Sequence, residues 1–151
     1  MRSSVPTTWI RSTAPACSDM PPWVSDWVGI PYLDRGRDRN GLDCLGLYVL
    51  LNKVRLGRDI PDPYCTISGA IRRGVVMQQA RLYRKVAPVD YTEGDAVMLR
   101  QMGFPIHVAY CIGGSVMLHA DGPRGVICEC FDGTKWKNRV LGVYRYEPDA
   151  G

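Results

Sequence analysis

The sequence predicts an α+β protein in which helices come first and an antiparallel β-sheet follows. Two observations carry that prediction. Between residues 22 and 84 the apolar residues recur at helical spacing, and after residue 85 the chain breaks into short β-prone runs separated by Gly, Pro and Asp turns. A third observation sets the scale: 151 residues, 46% hydrophobic and 23% charged, suffice for one domain with its own core.

Residues 1–20 are rich in Ser, Thr and Pro without periodicity, which predicts an extended N-terminal arm ahead of a domain spanning 21–148. In "PPWVSDWVGIP", Trp23, Val24, Trp27 and Val28 lie at i, i+3, i+4 spacing. Pro22 suits a helix start, and Gly29 and Pro31 suit its stop. A loop over 31–42 leads to a segment, Cys44 to Val54, that is apolar on nearly every side, as in a helix at the centre of a domain, with Gly57 as its terminator. "DIPDPY" (59–64) must be loop, and 68–84 reads as a second helix weakened by Gly74. The strands are expected at 95–100, 107–112, 116–120, 125–130 and 140–146, in a meander.

Composition excludes several function classes. The longest apolar run, 44–51, is far short of a membrane span. The net charge of +4 favours an anionic partner, but no Lys/Arg run marks a nucleic-acid binder. "DRGRDRN" (34–40) alternates signs and reads as a solvated loop. The six cysteines contain no C-x-x-C pair, so no metal or cofactor is expected and the thiols read as reduced. The N-terminus shows no apolar leader segment, so secretion by that route is not expected.

The chemistry is concentrated around "GLDCLGLYVLL" (41–51). A cysteine on an apolar helix ordinarily just packs. Cys44, however, stands at the first turn, after an acid suited to cap the helix, where unpaired N–H groups and the helix dipole favour a thiolate. The chain has two histidines, His107 and His119, on what reads as one hairpin. Strand side chains alternate, so the loop length decides whether the rings share a face. A two-residue loop at Gly113-Gly114 puts them on opposite faces. A three-residue loop, or a bulge, pairs His119 with Ala109 and sets both histidines on one face, expected to look toward the N-terminus of the Cys44 helix. Cysteine, histidine and a polar third residue, in that chain order, match a thiol peptidase.

The segments "IPYLDRGRDRNGLDCLGL", "EGDAVMLR", "HVAYCIGGSVMLHA" and "WKNRVLGVYRY" together resemble the NlpC-type family of papain-like cell-wall peptidases, over residues 21–147. They are most similar to the small branch found in tail modules of long-tailed phages and gene transfer agents. The resemblance implies a minimal papain-like fold, with the nucleophile helix packed on an antiparallel sheet. It also implies hydrolysis of peptidoglycan stem peptides, usually between D-glutamate, through its side chain, and the diamino acid. By the same resemblance Cys44 is the nucleophile, His107 the general base and His119 the orienting residue. Tyr32 matches a tyrosine of the site and candidate oxyanion donor, and Asp43 an acid that helps receive a free stem amine. A small hydroxyl residue often follows the cysteine in the family, whereas this chain has Leu45. The mechanism implied starts from a thiolate–imidazolium pair.

These readings make a tail-associated murein peptidase, made in the host cytoplasm, incorporated in a virion or particle tail and acting in the periplasm or cell wall. Its partners would be stem peptides and, through the arm, other tail-tip or baseplate hub proteins. The alternatives are a structural tail-tip subunit with the same fold, or a papain-like amidase or acyltransferase with another substrate.

Overall fold

A computed structural model describes residues 20–72, 74, 78–101 and 104–148. The proposed arm, apart from Met20, lies outside the described residues.

Helix α1 (Cys44–Leu56) starts and stops on local chemistry. Asp43 is its N-cap and accepts the Gly46 N–H at 2.7 Å. Gly57 turns left-handed (φ 66°) and returns its N–H to the Asn52 and Lys53 carbonyls. Leu47 and Leu51 are wholly buried, each contributing about 2 kcal/mol of apolar transfer.

The antiparallel sheet comprises β3 (Tyr83–Lys85), β4 (Ala96–Gln101), β5 (Phe104–Gly113), β6 (Val116–Asp121), β7 (Gly125–Cys130) and β8 (Val140–Tyr146). Its spatial order is β3-β8-β4-β5-β6-β7. The five expected strands are present, but the meander is interrupted: β8 returns to lie between β3 and β4. Alternation then builds two apolar layers. Val108, Tyr110, Ile112, Val116 and Leu118 meet α1 on one face, while Val97, Leu99, Ala109, Cys111, Met117 and Trp136 cluster on the other.

The structure corrects three local readings. The segment Pro22–Asp26 is a 3-10 helix rather than an α-helix, so Val24 and Trp27, three apart, both point inward while Val28 is exposed. The stretch 31–42, read as loop, holds a short hairpin of β1 (Arg37–Asp38) and β2 (Gly41–Leu42). Over 68–84, where the sequence predicts one helix, the described residues show α2 (Ile67–Arg72) and a separate helical turn at 78–79, whose Gln78 N–H donates to the Gly74 carbonyl. Beyond α2 Gly74 takes φ +74°, Ala80–Leu82 make a 3-10 turn, and Tyr83–Lys85 pair with β8 at the sheet edge. A left-handed glycine stops the helix, and edge pairing outweighs the helix preference that follows it.

Candidate active site

The β5–β6 hairpin settles the parity of the two histidines. Tyr110 pairs with Leu118 and Cys111 with Met117, and a register shift follows at Gly113. Gly113 and Gly114 both have positive φ (120° and 55°). This is the bulged, odd-length connection the sequence required. His107 and His119 therefore share a face, and His107 Nε2 lies 2.8 Å from His119 Nδ1, with the rings edge to face. Both are buried, and Trp136 closes over them, stacked on His107 and edge-on to His119.

That face is not the one the body of α1 covers, which corrects the expectation that the rings look toward the helix. Cys44 is the first residue of α1 and is 5% exposed. The backbone N–H groups of Val108, the residue after His107, and of Leu45 favour its thiolate. The structure thus joins the two histidines by a direct hydrogen bond and sets Cys44 beside the backbone of Val108.

The electrostatics correct the resting state. Burial, helped by the charge of Asp43, pushes the Cys44 thiol up to about 12 against the lowering by the Val108 and Leu45 N–H groups. Burial, then the neighbouring His119, takes His107 down to about 3. Desolvation penalises both charges more than the helix terminus helps the thiolate. The resting pair is therefore a neutral thiol and a neutral imidazole, not the thiolate–imidazolium pair expected.

Asp43 is built into the fold. It is 1% exposed, and its oxygens are taken by the Gly46 N–H (2.7 Å), the Arg35 N–H (2.9 Å) and Arg37 Nη1 (2.9 Å). Burial raises its pKa, and these three donors pull the other way. Three of the carboxylate's acceptor positions are thus held by the fold, two on Oδ1 and one on Oδ2. Arg37, read as part of a solvated loop, joins Asp43 to Asp62 (2.8 Å) and to the Cys65 carbonyl (2.8 Å). Gly46 is needed here, since a Cβ would run into the Gly36 carbonyl. Tyr32 bridges to Leu42 beside the nucleophile. Burial raises its hydroxyl well above the ordinary value, then a hydrogen bond to Asp34, with Cys44 and Asp43 close enough to add to it.

One site residue escaped the sequence reading. His119 Nε2 lies 2.7 Å from Glu129 Oε2 on β7. His119 pairs with Ile127 and Met117 with Glu129, so Glu129 stands diagonal to His119 on the same face. The signal was present: an acid inside "GVICEC" whose parity sets it opposite Cys128 and Cys130. Beside the site, a pocket of about 360 Å³ is lined largely by apolar groups, among them Leu45, Ile67, Ala70, Met98, Val108 and Leu141.

Comparison with known proteins gives the arrangement its relatives. Residues 29–145 match the model of the NlpC/P60 family. The chain is 25% identical over 115 residues to the murein DD-endopeptidase MepS/murein LD-carboxypeptidase of Escherichia coli K12, covering 76% of this chain and 55% of that protein. It is 24% identical over 126 residues to the probable endopeptidase NlpC of the same strain, covering 81% and 73%. The chain thus spans about half the length of the first of these curated relatives. Among solved structures, an NlpC/P60 family protein from Bacillus cereus superposes with TM-score 0.60 at 25% identity, over 91% of this chain and 42% of that one. The NlpC/p60 domain of the peptidoglycan hydrolase SagA does so with TM-score 0.55 at 24% identity, over 80% and 91%.

Proposed function

The chain belongs to the NlpC/P60 family, and from that premise we propose that it is a cysteine endopeptidase of peptidoglycan, with Cys44 as nucleophile, His107 as general base and His119 as the orienting residue. The observation that carries this reading is the buried His107–His119 hydrogen bond, with the backbone of the next residue, Val108, favouring the Cys44 thiolate.

The two resting groups are neutral, so proton transfer accompanies attack. His107 takes the thiol proton as the sulfur adds to the substrate carbonyl, and the oxyanion forms at the N-terminus of α1. There the Cys44 N–H has no intrahelical partner by its position. Tyr32 is the candidate second donor, once its hydroxyl turns from Asp34. His107 then gives the proton to the leaving amine, and water, deprotonated by the same ring, releases the acyl group.

The substrate reading is a stem peptide, cut between the D-glutamate side chain and the diamino acid. With Asp43 committed to the fold and Leu45 on the pocket wall, the site favours uncharged and apolar substrate groups near the thiol over a free ammonium. The resemblance of the quoted segments to tail-module members supports a role in a phage or gene-transfer-agent tail, opening the wall locally during DNA delivery. There residues 1–20 would act as an arm binding tail-tip or hub proteins. Deleting them should leave the domain folded and weaken incorporation into particles.

The test is mass spectrometry of products from defined muropeptides. A fragment ending in D-glutamate supports the proposed bond. Cleavage between two D-residues, the bond class in the name of the E. coli relative, would replace it. Cys44→Ala should abolish every product, and retained hydrolysis in that variant would refute the catalytic assignment.

A further inference from the structure

We propose that Glu129 is a positioning residue of this site: it fixes the tautomers of both histidines and supplies the negative charge that a neutral third residue lacks. The inference deepens the peptidase reading and rests on it for its catalytic consequence, but its structural content stands on geometry alone.

The line runs Glu129 Oε2, 2.7 Å, His119 Nε2; then His119 Nδ1, 2.8 Å, His107 Nε2. A carboxylate only accepts, so the proton in the first contact belongs to His119 Nε2. In the neutral ring that leaves His119 Nδ1 bare, and the proton in the second contact must belong to His107 Nε2. His107 is buried and neutral, so its basic atom is Nδ1. Without Glu129, His119 is free to carry its proton on Nδ1 instead. His107 Nε2 would then become the acceptor, the His107 proton would move to Nδ1, and the ring would lose its function as a base toward Cys44. One carboxylate on β7 thus determines which nitrogen of His107 is reactive, two hydrogen bonds away.

The same residue addresses charge. During attack the S–H bond of Cys44 breaks and an N–H bond forms at His107 Nδ1, leaving an imidazolium in a buried site. His119, if neutral, can accept its hydrogen bond but cannot balance it. Glu129 remains ionised, brought down to about 2 by hydrogen bonds from His119 and Lys135 that outweigh its burial. The other charged groups facing the line are Lys135, 2.9 Å from Glu129 Oε1, Arg124, 3.9 Å from Oε2, and Asp121, whose charge favours protonation of His107. The two cations hold Glu129 in place and temper its field.

The chain has two histidines, so each imidazole signal is assigned by one substitution. Nitrogen-15 NMR of the free protein should show both rings protonated at Nε2 and bare at Nδ1. In Glu129→Ala the His119 ring should become a tautomer mixture and part of the His107 population should move its proton to Nδ1. The value of kcat should fall roughly 10- to 100-fold, and the acid limb of kcat/KM should shift to lower pH. Glu129→Asp should recover part of both, and the isosteric Glu129→Gln guards against misfolding: it should keep the melting temperature near wild type while showing the same shift of the acid limb to lower pH. Unchanged tautomers and an unchanged pH profile in folded Glu129→Ala would overturn the proposal. A wild-type protein inactive on every muropeptide, yet with both rings in the stated tautomers, would sink the peptidase reading and leave the assignment of Glu129 standing.

Discussion

Replacing Asp43 with alanine separates two roles for its carboxylate, a brace of the fold or a receptor for a substrate amine. The geometry predicts a brace. Truncation removes the cap on Gly46, worth about 1 kcal/mol. It also takes the acceptor from the N–H of Arg35, an exposed residue, at about 1 kcal/mol. Arg37 is not stranded, because it keeps Asp62 and the Cys65 carbonyl. The total is about 2 kcal/mol, which for a domain of this size lowers the melting temperature by roughly 7 °C. Asp43→Asn keeps an acceptor toward Gly46 but opposes an NH₂ to another donor, so it should fall between the two. The assays are thermal unfolding by circular dichroism, and hydrolysis of a matched pair of stem peptides, one with a free and one with an acetylated amine. The expected result is a large loss of stability with an unchanged ratio of rates on the pair. If Asp43→Ala melts within 2–3 °C of wild type (roughly 1 kcal/mol or less) and loses activity on the free-amine peptide alone, the carboxylate is a substrate contact and the reasoning is wrong.

Two further outcomes follow from the same geometry. The His107 pKa lies near 3 in the fold and near 6.5 when unfolded, so the unfolded chain binds more protons between those values. Its contribution to stability is complete above about pH 6.5 and is lost as pH falls toward 3, with a slope approaching about 1.4 kcal/mol per pH unit. Urea midpoints from pH 4 to 7 should show that slope, and His107→Gln should flatten it; an equal slope in the variant would assign it to other groups. Gly46→Ala drives a methyl into the Gly36 carbonyl and should cost roughly 1–3 kcal/mol by thermal melt, whereas a neutral result would mean that the loop before β1 is not seated against α1.

What the sequence determined by itself were features governed by neighbours in the chain. The cap at Asp43 and the left-handed Gly57 delimit α1 within one turn of each end, so the position of Cys44 at a helix start could be read directly. Strand alternation is equally local, and with the odd-length connection at Gly113–Ser115 it required His107 and His119 to share a face. Tertiary structure decided everything that depends on a distant segment. The sheet order, with β8 between β3 and β4, and the edge role of Tyr83–Lys85 come from pairings across some sixty residues. Glu129 reached His119 only through the register of β7 on β6. The protonation of the resting pair was reversed by burial, because desolvation is set by how closely the whole domain packs around Cys44 and His107 and has no signature in the residues beside them. For the same reason Arg37, read in the sequence as part of a solvated loop, is half-buried: its partners Asp62 and Cys65 lie twenty or more residues away and meet it only in the folded chain.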